Sequence, residues 1–167
     1  MGLTEDLEKI ARQERELRLP CFDMQVAWDL GSSIRAMAVE RGYALVVDVR
    51  RSAQPLFYAA LGGTTPDNAE WVRRKSNVVA RFHRSSYAVG MTLRLKGTTL
   101  LDRYGLAVAD YAADGGSFPL VVENAGIVGS VTVSGLPQRD DHDLVVEALC
   151  AHLGRDFAAL RLGPEGA

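Results

Sequence analysis

Tyr43-Ala44-Leu45-Val46-Val47-Asp48-Val49 is a short apolar run rich in valine, a composition that favours a strand. Arg50-Arg51-Ser52-Ala53-Gln54 follows as a polar turn, and Pro55 to Leu61 returns as a second strand. With so few residues between them the two strands pair antiparallel, because a parallel crossover needs a dozen or more. The arrangement recurs downstream, where Phe118 to Glu123 and Ile127 to Ser134 flank the turn Asn124-Ala125-Gly126. Two hairpins of this kind predict an antiparallel sheet, and everything between and around them reads as helix or loop.

Outward from the first hairpin, Asp23 caps a helix whose Val26, Ala27, Leu30, Ile34, Met37 and Ala38 keep helical spacing. Arg41 and Gly42 close it, a cation in the last turn and a glycine free to turn left-handed. Before it, Thr4 to Leu17 forms a helix with a thin stripe of Leu3, Leu7, Ile10 and Leu17. Residues 1–18 therefore read as a peripheral arm that packs on the body or on a neighbouring subunit. After the first hairpin, Gly62-Gly63 breaks the strand and Thr65-Pro66 starts a helix, threonine as N-cap and proline at the first position. Ser86 to Leu95 reads as another helix, Gly97 to Asp110 fits neither period, and Asp114-Gly115-Gly116-Ser117 is a loop. Arg139 to Leu153 is the closing helix, with Gly154 just past it, and residues 155–167 read as a loosely ordered tail. The order predicts one α+β domain over 1–167, helices flanking an antiparallel sheet.

A chain of 167 residues, 47% hydrophobic and 24% charged, suffices for one domain with a proper core. Its net charge of −2 argues against nucleic-acid binding, which depends on neutralising phosphates. No apolar run approaches the length that crosses a bilayer, and Met1 to Arg18 is too charged for a secretory leader. Cys21 and Cys150 have neither CxxC nor metal-like spacing and read as free thiols, so the expected location is cytoplasmic. The glycine fingerprints of dinucleotide- and phosphate-binding loops are absent, as is the GxSxG nucleophile elbow.

The helix after Thr65-Pro66 carries the most informative residue. Trp71, Val72, Val78, Val79 and Phe82 share one face, and Arg73, Arg74, Arg81 and Arg84 the other. Lys75 breaks the pattern by standing in the middle of the apolar face. A lysine there must snorkel, find a partner or lose its charge. It is the first candidate for ligand binding, joined on the same helix by Arg74, Asn77 and Arg81. In the last helix His142, Val145, Leu149 and Leu153 recur at three- and four-residue steps, which puts His142 in the apolar stripe of the first turn. A helix N-terminus disfavours imidazolium, so His142 leans neutral, against the pull of Asp140, Asp141 and Asp143. Ser134-Gly135 ends a strand where open backbone N–H groups can hold a carboxylate or phosphate, which adds Ser134 to the candidates. His83 falls at the edge of the basic helix's apolar face, and His152 reads as exposed. Three separated histidines do not match a zinc site, so no metal is expected.

Trp71-Val72-Arg73-Arg74-Lys75-Ser76-Asn77-Val78-Val79-Ala80-Arg81-Phe82, followed by Ser85-Ser86, is similar to the hallmark helix of a bacterial and fungal branch of the haem-degrading-domain (GlcG/HbpS-like) family. Gly115-Gly116-Ser117-Phe118-Pro119-Leu120, Gly126-Ile127-Val128-Gly129 and Val133-Ser134-Gly135-Leu136-Pro137-Gln138 with Asp141-His142 resemble its second signature. The resemblance runs from about Leu7 to Leu153. It implies a profilin-like or roadblock-like fold assembled into homo-oligomers, and haem as a ligand of related members. The best-known fungal relatives are associated with chaperone and protein-targeting machinery.

Three functions are compatible with these residues. One is a cytoplasmic homo-oligomer binding haem or another small anion at a cleft lined by Lys75, Arg81 and His142, with arginines for the propionates and a single axial imidazole. Another is a scaffold whose basic helix and N-terminal arm are interfaces. The third is an enzyme on a small carboxylic acid, Lys75 anchoring the carboxylate and His142 acting as general acid or base.

Overall fold

A computed structural model describes residues 2–165. Four strands, β1 (Val46–Arg51), β2 (Gln54–Ala60), β3 (Ser117–Val122) and β4 (Gly126–Ser134), form one antiparallel sheet in the order β2-β1-β4-β3. Both expected hairpins are present, and β1 joins them by pairing with β4, Val47 opposite Val133 and Val49 opposite Val131. Around the sheet lie α1 (Leu3–Glu16), α2 (Met24–Arg41), α3 (Pro66–Phe82), α4 (Ser86–Leu95), α5 (Leu100–Tyr104), α6 (Gln138–Leu153) and α7 (Phe157–Leu160). The fold is α+β, an antiparallel sheet flanked by helices.

Strand alternation sorts the sheet into two unlike faces. Val47, Val49, Phe57, Phe118, Leu120, Val131 and Val133 point toward α2 and α6 and build the main core with Leu30, Ile34, Val145 and Leu149. The other face, toward α3, carries Asp48, Arg50, Ser117, Ser130, Thr132 and Ser134, and all but Arg50 are buried. This polar face explains where β1 ends. Arg50 and Arg51, read from sequence as the turn, continue the strand opposite Ser130 and Gly129. Arg50 is held there by its own strand, donating to both carboxylate oxygens of Asp48 at 2.6 and 2.9 Å.

The segment that fitted neither period contains the short α5, capped by the Thr99 hydroxyl, and a loop clamped by α3. Arg73 donates to Asp110 and to the Ala109 carbonyl, Arg74 to the Val108 carbonyl, and Asn77 to the Asp110 carbonyl.

The C-terminal segment differs from the expected loose tail. α7 forms behind the Asp156 cap, Leu160 and Leu162 are buried, and Asp143 accepts the backbone N–H groups of Leu162 and Gly163. Periodicity missed it because four helical residues are too few to show a period, and its leucines find their places only in the fold, Leu160 in the main core and Leu162 against Ile10, Tyr87 and Met91 of α1 and α4. Residues 166 and 167 of that tail lie outside the described residues. The N-terminal arm packs on the body: Ile10 and Gln13 are fully buried, and Asp6 pairs with Arg139 of α6 at 2.7 Å.

Candidate functional site

Lys75 lies where α3 crosses the polar face of the sheet, and only 2% of it is exposed. Its Nζ donates to the carbonyls of Gly115 at 2.9 Å and Val133 at 2.7 Å and to Asp141 Oδ2 at 3.1 Å. Three acceptors require three N–H bonds, so the group is an ammonium, although burial pulls its pKa below the ordinary lysine value. Asp141 answers it from α6 and also accepts the backbone N–H groups of Gly135 and Leu136. Burial outweighs these partners and pushes its carboxyl up to about 6. Gly116 admits this packing. It has φ +130°, and a Cβ there would stand 2.5 Å from Lys75 Nζ and 2.5 Å from the Val133 carbonyl. Lys75 therefore ties α3, the 115–116 loop, β4 and α6 together, and it keeps no donor for a ligand. With Ser134 and Asp141 it lines a cleft of about 270 Å³, whose mouth adds Asp67, Trp71 and Asp114.

His142 sits in the apolar stripe that its spacing predicts, but it turns away from Lys75. Its ring packs against Tyr87 and Phe118 with centroids 5.3 and 5.9 Å away, and Nε2 bonds to Gln13 Oε1 at 2.8 Å. Nδ1 is buried without a partner. Burial, followed by the Arg139 charge, lowers its pKa to about 3, so it is neutral for a stronger reason than the helix end. Of the three nearby aspartates only Asp141 and Asp143 are committed, one to Lys75 and one to the C-terminal segment, and the carboxylate opposing the shift is Asp6. Lys75 and His142 thus belong to different sites, and a single cleft lined by Lys75, Arg81 and His142 does not exist. His142, 1% exposed, has no open face toward an iron or a substrate.

The remaining candidates scatter. Arg74 stacks on Trp71 at 4.6 Å, with its Nε on the Val108 carbonyl. Arg81 is exposed and, among the described residues, makes no hydrogen bond. Asn77 borders a different cleft, of about 300 Å³, with Arg50, Ser52, Ser76, His83 and Ser130. His83 also lines a shallow groove of about 500 Å³ between α1, the end of α3 and the β3–β4 hairpin. Ala11, Pro119, Val121 and Ile127 give that groove apolar walls, and Arg15, Arg18 and Arg84 rim it, Arg84 paired with Glu14 of α1 at 3.7 Å. Sequence reading placed His83 at the edge of its helix but gave no sign of the groove. Arg15 and Arg18 stand far from it in the chain, and only the docking of α1 brings them there. Asp48, a carboxylate inside a valine strand, was the available signal for Arg50. Among the described residues no three histidine, cysteine, aspartate or glutamate side chains converge to hold a metal ion, and no helix is long and apolar enough to cross a membrane.

The family model described as haem degrading protein HbpS-like matches residues 22–150. The chain belongs to the HbpS-like family. It is 57% identical over 162 residues to a UPF0303 protein of Burkholderia cenocepacia, covering 97% of this chain and 98% of the relative. It is 58% identical, over the same shares, to a UPF0303 protein of Burkholderia thailandensis. The crystal structure of Ybr137w protein superimposes with a TM-score of 0.83 at 29% identity, covering 89% of this chain and 87% of that one. HbpS itself gives 0.63 at 19% identity, over 83% and 94%. A PduOC:heme complex gives 0.67 at 13%, over 78% and 94%. The latter two share the HbpS-like fold with this chain, and the match to the family model covers α2 through most of α6.

Proposed function

We propose that this member of the HbpS-like family binds haem in the groove between α1, α3 and the β3–β4 hairpin, with His83 as the iron ligand. The observation that carries the reading is the exposed His83 imidazole, free of hydrogen bonds among the described residues, beside apolar walls and three arginines. A porphyrin needs an apolar surface for its faces, cations for its propionates and one neutral imidazole for its iron. Ala11, Pro119, Val121 and Ile127 suit the first need, Arg15 and Arg18 the second, with Arg84 already paired to Glu14, and His83 the third. His142 meets none of them. Bound haem would supply one-electron or oxygen chemistry, and the chain's own part is to hold and orient it. Family membership and the haem named in the PduOC structure agree with the reading.

Titration of purified protein with haem, followed through the Soret band, tests it. The expected result is a saturable, stoichiometric shift that is lost in His83→Ala and kept in His152→Ala. A response that does not saturate, or one indifferent to His83→Ala, would overturn it.

Self-association is a second reading with an observation of its own. β2 pairs only with β1 among the described residues, so its outer edge is open, and large apolar side chains stand on both sides of it. Met24 and Trp28 of α2 are 61% and 60% exposed, and Tyr58 on the opposite face of β2 is 51% exposed. An open edge flanked by such groups is what a second subunit would cover. Catalysis on a small acid by Lys75 and His142 has no geometry to support it, since the two side chains face different partners.

A further inference from the structure

We infer that the cleft of about 300 Å³ between the C-terminal half of α3 and the ends of β1 and β4 is a second binding site, for a small organic carboxylate held by Arg50. The inference does not depend on haem binding.

One buried residue of β1 is of no use to the core. Asp48 occupies a central strand, between Val47 and Val49, and is wholly buried. Burying a carboxylate costs several kcal/mol unless it is paired, and valine would serve the strand better. Its one evident task is to grip Arg50, whose Nε and Nη2 it takes in a bidentate pair. That grip fixes the plane of the guanidinium at the cleft and leaves Nη1 without a hydrogen bond among the described residues. A planar guanidinium with a free edge is suited to a carboxylate oxygen.

The surroundings fit the same class of ligand. Ser130 of β4 is 3% exposed, it lines the cleft, and among the described residues its hydroxyl makes no hydrogen bond. The Asn77 amide spends one N–H on the Asp110 carbonyl, which leaves its second N–H and its oxygen, and Ser76 donates to the Arg73 carbonyl. One guanidinium, hydroxyl and amide donors and two acceptors suit a carboxylate bearing a hydroxyl or amino group. Ala80, Ile127 and Val128 supply an apolar wall for a short carbon stem. The volume stands at the lower end for ligand pockets, which sets the ligand at metabolite size.

Backbone strain gathers at the same place. Only Ser52, His83 and Asn124 among the described non-glycine residues have positive φ, and Ser52 at 51° and His83 at 55° both line this cleft. Ser52 lies in the β1–β2 turn and His83 is the left-handed C-cap of α3, so these two chain reversals shape the rim of the cleft.

The test is titration of the ¹⁵N-labelled protein with sodium lactate, sodium glycinate and sodium acetate, each against sodium chloride and sodium phosphate at matched ionic strength. Saturable shifts confined to the amides of 76–83 and 127–130 with at least one carboxylate, and not with chloride or phosphate, are the expected result. Arg50→Gln should weaken binding about tenfold or more. Because that variant leaves Asp48 unpaired and can unfold the sheet, Ala80→Phe provides the second arm. It fills the cleft from α3 and leaves the Asp48–Arg50 pair intact, and it should abolish the shifts while the rest of the spectrum stays native. Linear shifts that never saturate, saturation by phosphate alone, or binding unchanged in Ala80→Phe would each overturn the inference. Haem plays no part in these titrations, so their failure and the failure of the His83 reading are separate results.

Discussion

Lys75 and His142 show how two inward-facing polar residues of one chain come to different ends. Lys75 is saturated by three acceptors, so its removal leaves a buried carboxylate and two buried carbonyls unmet. Lys75→Met should therefore lower stability by about 3–5 kcal/mol, read as a drop in the urea midpoint with little change in slope. A midpoint within error of the parent would mean that the pair does not brace the fold. His142 makes a prediction about pH. In the unfolded chain it takes up a proton near 6.5, in the fold only near about 3. Between those values the unfolded state binds more protons, so acid favours unfolding. The contribution is complete above about pH 6.5, is lost as pH falls toward 3, and amounts to something of order 4 kcal/mol. Asp141 acts in the opposite sense between about pH 4 and 6, because the fold raises its pKa. The informative quantity is thus the difference between the parent and His142→Gln. The variant's midpoint should fall less steeply from pH 6.5 to 4, and parallel curves would count against the assignment.

Among the elements, α1 depends most on contacts that lie far from it in sequence. Its thin apolar stripe is supplemented by Asp6 on Arg139, by Gln13 Nε2 donating to the Leu160 carbonyl, and by Gln13 Oε1 accepting from His142 Nε2. Arg139 also reaches the carbonyls of Leu162 and Gly163, so one guanidinium holds both ends of the chain against α6. Asp6→Asn should loosen both together, by about 3 kcal/mol or more for a broken buried pair. Hydrogen exchange would show it as faster exchange in 3–16 and 157–163 alike, with the strands unaffected. Faster exchange in α1 alone would mean that the C-terminal segment docks by its leucines and not through Arg139. Five of these helices were legible in the sequence, Ser86–Leu95 without a residue's difference, whereas α5 and α7 were not. The ends of β1 were not, because two arginines in a row look like a turn until the polar face of the sheet gives Arg50 a place.

The whole molecule presents a sheet whose β2 edge is open, with Met24, Trp28 and Tyr58 exposed beside it. Light scattering on the purified protein should give a mass above that of a single 18.1 kDa chain, and Trp28→Arg with Tyr58→Arg should reduce it. A monomeric parent would leave this edge unexplained by self-association. At this scale the division between sequence and tertiary structure is clear. Local rules alone determined the two hairpins, the capped helices, the α+β class and the inward position of Lys75, because each depends on residues a few places apart. The family signature was legible too, in blocks of contiguous residues. The clefts were not. Arg50 meets Ser76 and Ser130, and His83 meets Arg15 and Arg18, only because β1 pairs with β4 and α1 docks against α4 and α7. For the same reason Asp141 and His142, adjacent in the chain, end in unrelated surroundings: successive residues of a helix point about 100° apart, and the chain's packing decides what each one meets.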